Sequence, residues 1–288
     1  MAEIASATLT NKVENQDWFS KISNPKLQIY GVVVADGIGS FSYAKDAARM
    51  VASFVSHSIN QLTDINDLNF EIIFSEAKNE LIEFAREKGL ETEGKTLGTT
   101  LIVAVHHPTP NRNYDTIKVA YVGNGAIWHL RGNFNHFNES QLLPWNAINY
   151  LNPHSIQEEG KEALYKLISV SDNIDEAVPS VLTFRTDNYF GDIIMICTDG
   201  IYSYDQIQIG KDSLGRTWIS GEKSMSLFYS ELNDYFKGNK PDLENFLDNY
   251  LKKLNEIEEL DDDATIALFI TDNAITHQKR TQNADNNS

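Results

Sequence analysis

An α+β domain with a β-rich core is the fold class this sequence predicts, and three observations predict it. A near-continuous apolar run, LQIYGVVVA, ends on Asp36-Gly37 and has the form of a strand buried on both faces. Two stretches with apolar residues at three- and four-residue steps follow it. A close succession of short strands then occupies the middle of the chain. No internal repeat appears, and no linker divides the 288 residues into two separate parts.

Taken in order, the first clear strand is Leu27–Ala35. From Tyr43 the pattern is helical, with Ala44, Ala47, Val51, Phe54, Val55 and Ile59 on one face. A second helix starts near Phe70 and carries Ile73, Phe74, Ala77, Leu81 and Phe84, with Gly89 at the position of a stop. Strands are expected over Thr99–His106, Thr116–Val122 and Ala126–Leu130. Gly123-Asn124-Gly125 reads as a hairpin turn between the last two. The stretch Pro144–Val178 is polar and irregular, and a short helix is expected over Glu158–Ile168. Strand character returns at Val181–Arg185 and Asp192–Cys197. Helices are expected over Glu222–Phe236 and Leu243–Leu254, and a closing strand over Ala264–Thr271. The division expected is one domain over residues 1–275, with inserts near 144–180 and 203–240. The polar tail over 276–288 has the composition of a disordered segment.

Charge and cysteine usage narrow the function classes. The chain carries 24 basic and 41 acidic side chains, a formal charge of −17. Such an excess repels phosphate backbones and anionic lipid, so nucleic-acid and membrane partners are not expected. Cys197 is the only cysteine, which rules out an internal disulfide and a thiolate zinc cluster. It lies inside an apolar strand and is expected to be a core residue. The N-terminus lacks a basic start followed by an apolar stretch, and no apolar run approaches the ~20 residues of a membrane span. A reducing, cytoplasmic setting is therefore expected. The seven histidines include no ligand spacing such as HxxxH.

The aspartates carry the chemical signal. Asp36 closes one apolar strand and Asp199 another, each followed by glycine. Asp261-Asp262-Asp263 opens the last strand, and Asp17 precedes the first. A carboxylate at the end of a buried strand is costly unless something neutralises it, and several converging carboxylates cannot all ionise without a cation between them. Oxygen donors without histidine or cysteine suit Mg²⁺ or Mn²⁺ rather than zinc. Asp-Gly is also a common turn dipeptide, and an Asp-rich loop is usually only solvated. Spacing alone thus leads to a candidate hard-metal site and not to a reaction.

In order and spacing, six segments resemble the metal-dependent serine/threonine protein phosphatases of type 2C, in their bacterial form. They are NQD at 15–17, VVVADGIGS at 32–40, GTT at 98–100, YVGNGAIWHLRG at 121–132, GDIIMICTDGI at 191–201 and DDDATIALFI at 261–270. The resemblance implies a central antiparallel β-sandwich flanked by helix pairs, in α-β-β-α layers. It implies two Mn²⁺ or Mg²⁺ ions, with Asp36 bridging them, Gly37 offering its carbonyl, and Asp199 and Asp262 completing the metal set. Asp17 would hold metal-bound water and act with Asp36 and Asp199 in catalysis. Lys12 stands where many members place an arginine that contacts substrate phosphate, and it supplies charge without a bidentate fork. The implied substrate is a phosphorylated protein, with a cognate Ser/Thr kinase acting in the opposite direction.

Four departures from the family pattern bear on function. Gln16 stands where some members have a glutamate ligand. Ile38 replaces a histidine thought to act as a general acid in eukaryotic members. Asn124 replaces an aspartate and weakens a third, labile metal site, and Ser40 replaces a frequent glycine. The first three motivate a second reading, a regulatory pseudophosphatase that binds a partner without turnover. A third is a small-metabolite phosphatase on the same fold.

Overall fold

The computed structural model describes residues 3–10, 12–90, 95–109, 112–132, 147–158, 161–202, 206–211, 217–238, 242–258, 260 and 262–285. The chain begins β1 (Glu3–Leu9), β2 (Asp17–Asn24), β3 (Ile29–Asp36), α1 (Ala44–Asn60) and α2 (Phe70–Lys88). It continues β4 (Gly98–Thr99), β5 (Leu101–Pro108), β6 (Asp115–Val122), β7 (Ala126–Leu130), β8 (Ala147–Asn149), β9 (Ser155–Glu158), β10 (Lys161–Leu164) and β11 (Ile168–Ser169). Then come β12 (Ser180–Arg185), β13 (Ile193–Cys197), α3 (Asp199–Tyr202), β14 (Gln206–Lys211), β15 (Thr217–Gly221), α4 (Glu222–Phe236), α5 (Leu243–Glu258), β16 (Ala264–Ile270) and α6 (Asp272–Asp285). The class is α+β on antiparallel sheets with helix pairs, as expected.

The chain divides into two compact units, one over 13–125 and 151–186, the other over 1–12, 126–150 and 187–288. The first is built on a five-stranded sheet in the order β12-β6-β5-β3-β2. On one face of it, α1 and α2 bury Val51, Val55, Phe74 and Leu81 against Val33, Val103 and Val122. Asn69 caps α2 by accepting from the Glu71 and Ile72 amides, and Gly89 ends it at φ 68°, the left-handed conformation glycine adopts without cost. The alternate residues Val32, Val34, Ile102 and Ala104 are buried too, so both faces of this sheet are covered. That is why β3 reads as an unbroken apolar run.

The second unit has a five-stranded sheet in the order β1-β16-β13-β7-β8. Its helix pair, α4 and α5, seats Phe228, Tyr229, Phe246 and Tyr250 against Ala7, Met195, Cys197 and Ile266. Burying four large aromatic side chains in edge-to-face contacts contributes several kcal/mol, on the order of 2 for each. Asp242 caps α5 through the Asn245 amide at 2.7 Å. Cys197 is fully buried in this core, as its apolar surroundings predicted.

The structure differs from the sequence expectations at five places. β1 and β2 precede the strand read as the first; both mix polar with apolar residues, so periodicity alone leaves them unmarked. Gly123 and Gly125 do take turn conformations at φ 94° and 126°. The flanking strands do not pair as a hairpin, however: β6 joins β5 and β12, whereas β7 joins β13 and β8. The helix expected over Glu158–Ile168 is instead the β9–β10 hairpin, closed where the Tyr165 amide donates to the His154 carbonyl at 2.9 Å. Helix-favouring residue types there yield to strand pairing, because propensity is a small term beside tertiary hydrogen bonding. The segment 206–221, within the second expected insert, contains the hairpin β14–β15. Finally, the tail expected to be disordered is helical through Asp285. Thr271 caps α6 by accepting from the Ala274 amide, and Ala274, His277 and Gln278 are buried at i, i+3, i+4 spacing. Residues 286–288 lie outside the described set. Among the described residues no helix is long and apolar enough to cross a membrane.

Candidate active site

Each unit holds one group of the acidic residues singled out above. In the unit built on β2 and β3, the antiparallel register places Asp17, the first residue of β2, directly opposite Asp36, the last of β3. Asp17 is 2% exposed and Asp36 half-buried. Directly opposed positions hold their Cβ atoms about 5 Å apart, so two carboxylates there repel one another at close range. The end of β3 is held rigidly. The Asp36 carbonyl accepts from the Thr99 hydroxyl and the Thr100 amide, both at 2.8 Å, and the Asp36 amide donates to Thr100 Oγ1 at 3.2 Å. The GTT segment therefore serves to fix Asp36.

Gly37 is required by space. Its amide donates to the Gln16 carbonyl at 3.1 Å, and a Cβ built on it would stand 2.4 Å from the Ala44 carbonyl oxygen. The first turn of α1 thus comes flush against the chain just after Asp36, which only glycine permits. Gly98 makes the same allowance for the Phe41 ring, which would meet its Cβ at 2.6 Å.

The other group lies in the second unit. Asp199 begins α3 immediately beyond β13, and Asp262 lies two residues before β16. The Thr198 amide donates to the Thr265 carbonyl and the Thr265 amide to Thr198 Oγ1, each at 3.0 Å. Thr265 Oγ1 in turn donates to Thr8 Oγ1 at 2.7 Å, a hydroxyl chain that locks the ends of β13, β16 and β1 together. Gly200 is again obligatory, since a Cβ there would lie 1.9 Å from the Asp263 carbonyl oxygen. Asp263 is 2% exposed, whereas the Asp262 side chain is about half exposed and accepts from the Asp263 amide at 2.7 Å. Asp261 lies outside the described residues.

Lys12 is in this second group. Its amide donates to Thr10 Oγ1 at 3.1 Å, and its ammonium forms an ion pair with Asp262 Oδ1. The register explains the encounter, because Leu9 at the end of β1 pairs with Ala264 at the start of β16. Residues just past one and just before the other must meet. Lys12, expected at a substrate phosphate, and Asp262, expected at a metal ion, meet each other in the fold.

The donors suit a hard divalent cation. They are carboxylates with backbone carbonyls nearby, and the Lys12 ammonium rests on one of them, Asp262. Among the described residues, no three His, Cys, Asp or Glu side chains form a ready-made ligand cluster.

Two further arrangements escaped the sequence reading. His154 is 4% exposed. Its Nδ1 accepts from the Gly123 amide at 3.3 Å, its own amide donates to the Gly123 carbonyl at 3.0 Å, and Nε2 donates to Ser180 Oγ at 2.8 Å. Its ring stacks on Tyr121 at 4.9 Å. Burial, helped by the Lys166 ammonium, pushes this imidazole down to about 4, so it is neutral at ordinary pH and fixes the turn after β6. In the second unit, fully buried Asp192 accepts from Arg131 Nη2 at 2.6 Å, from His129 Nε2 at 2.7 Å and from the Asp187 amide at 2.7 Å. His129, Arg131 and Asp192 belong to the GNGAIWHLRG and GDIIMICTDG segments, and their work is to clasp β7 to β13. Histidine spacing within the sequence signals neither arrangement, because every partner is remote along the chain. Tyr150 is 37% exposed, with its ring 6.1 Å from His129.

Comparison with known proteins bears on all of this. A family model described as protein phosphatase 2C matches residues 6–257. No curated protein matches the chain by sequence. The structure is similar to that of the Staphylococcus aureus serine/threonine phosphatase Stp1, at 15% identity and TM-score 0.62, with 94% of each chain covered. It is similar also to the S. agalactiae serine/threonine phosphatase, at 14% identity and TM-score 0.64, covering 93% of this chain and 99% of that one. The Mycobacterium tuberculosis serine/threonine phosphatase PstP/Ppp aligns at 12% identity and TM-score 0.56, over 93% and 98%. At these identities the likeness is one of fold.

Proposed function

The chain belongs to the protein phosphatase 2C family, and from that premise we propose that it is a metal-dependent phosphoserine/phosphothreonine protein phosphatase. The observation that carries the reading is the direct opposition of Asp17 and Asp36, one of them buried, at the end of a rigid strand pair. A fold keeps two facing carboxylates when a cation compensates them.

Asp36, the Gly37 carbonyl, Asp199 and Asp262 would hold two Mn²⁺ or Mg²⁺ ions. Such ions, when bound, supply Lewis acidity and a water of lowered pKa for attack on a phosphate monoester. The chain's own residues do the rest. Thr99 and Thr100 keep Asp36 in place, and the Thr8–Thr265–Thr198 chain does so for the strand ends carrying Asp199 and Asp262. Asp17 orients water through its carboxylate. Lys12 offsets charge on the substrate phosphate. The substrate class proposed is a phosphorylated protein in the cytoplasm, with a Ser/Thr kinase as its counterpart.

Hydrolysis of a phosphothreonine peptide with Mn²⁺, with EDTA and with Asp199→Asn tests the proposal. Turnover that needs the metal and is lost in the variant supports it. Absence of turnover across several peptides, alongside measurable Mn²⁺ binding, would favour the pseudophosphatase. Sharp preference for a small phosphorylated metabolite over every peptide would favour the third reading.

A further inference from the structure

We propose that Lys12 is a built-in competitor of the divalent cation at Asp262. Its ammonium neutralises that carboxylate in the metal-free protein and must leave before a cation can take its place. The inference rests on the proposed role of Asp262 as a metal ligand and adds a role for Lys12 that this reading does not contain.

Three observations carry it. The first is the ion pair itself, Lys12 Nζ on Asp262 Oδ1. The second is that the pair is no accident of a loose side chain. The β1/β16 register ends at Leu9 opposite Ala264, the Lys12 amide is tied to Thr10 Oγ1, and the Asp263 amide holds the same Asp262 oxygen at 2.7 Å. Backbone on both sides therefore delivers the ammonium to the carboxylate. The third is exposure: the two side chains are 37% and 49% exposed. A half-exposed ion pair is weak enough to be displaced by a divalent cation and strong enough to compete with one.

A consequence follows for the order of events. An ammonium paired with Asp262 has part of its charge offset by that carboxylate. Cation binding at Asp262 displaces it, and Lys12 then offers its full charge to the phosphate in the metal-loaded protein. Long flexible lysine suits such a transfer better than arginine, whose fork would bind the carboxylate more tenaciously.

The test is titration calorimetry of the full-length protein with Mn²⁺ at low ionic strength, comparing wild type with Lys12→Met, Lys12→Arg and Lys45→Met. Lys45 is the control, a cation of like exposure paired with Glu14 in the other unit. The expected result is that Lys12→Met binds Mn²⁺ roughly two- to fivefold more tightly, the scale an exposed ion pair supports. Lys12→Arg should bind no more tightly than wild type, and Lys45→Met should match wild type. Unchanged or weaker binding by Lys12→Met, with wild type binding normally, overturns the competition and leaves the phosphatase reading intact. Equal tightening in Lys12→Met and Lys45→Met overturns it in favour of overall charge. A wild type that binds no Mn²⁺ removes the metal-site reading itself, and the competition with it.

Discussion

In the unit built on β2 and β3, acid faces acid: Asp17 and Asp36 are opposed in register. In the unit built on β1 and β16, acid faces base, because the same kind of strand-end encounter sets Lys12 on Asp262. Both units place a helix pair on a five-stranded antiparallel sheet, and both require a glycine directly after the strand-end aspartate. What differs is how each meets the cost of a carboxylate at the end of a buried strand. The first opposes two carboxylates in register, and the second sets a lysine ammonium on Asp262.

The comparison can be broken most decisively by removing one carboxylate from each group. Asp36→Asn and Asp199→Asn are both expected to lower kcat/KM for a phosphothreonine peptide by at least about 100-fold, since losing charge stabilisation worth several kcal/mol has that effect. A large loss in only one variant would mean that a single unit carries the chemistry.

Two histidines offer the next contrast. His129 donates to Asp192, whereas His154 must accept at Nδ1 from the Gly123 amide, which a proton would prevent. The folded protein resists protonating His154 until about pH 4, against an ordinary value of 6.5. The unfolded chain binds the extra proton between those values, so this contribution is fully present above pH 6.5 and is lost as pH falls toward 4. Urea unfolding should show wild type losing about 3 kcal/mol more across that window than His154→Gln. Parallel pH profiles would refute the assignment.

Smaller effects follow from the two glycines. Gly200→Ala and Gly37→Ala each force a methyl group against a carbonyl oxygen, at 1.9 and 2.4 Å in the present backbone. Each is expected to cost about 1–3 kcal/mol by thermal or chemical unfolding, Gly200→Ala the more. The smallest effect is the most discriminating. In EDTA, Asp17→Asn should raise the free energy of unfolding by relieving like-charge opposition, and Asp262→Asn should lower it by breaking an ion pair, each by up to about 1 kcal/mol. Shifts of the same sign in the two variants would erase the distinction between the groups.

Much of this molecule was legible in its sequence. The helices α1, α2, α4 and α5, the strands β3, β6, β7, β13 and β16, and the aspartates at strand ends all follow from local pattern, because burial imposes periodicity and a buried charge demands compensation. β1 and β2 were missed, since an edge strand that is only partly buried leaves no clean alternation. The helical tail was missed because its three buried residues are outnumbered by polar ones. Residue types alone determined the class, the core faces and the acidic character of the candidate site. Pairing register was decided by the tertiary structure: that Asp17 faces Asp36, that Lys12 faces Asp262, and that Gly123 and Gly125 join strands of different sheets. Those encounters join residues as far as 250 positions apart along the chain, and no local preference encodes them. They arise when two strands select the one alignment that buries both apolar faces, and the charges at the strand ends go where that alignment puts them.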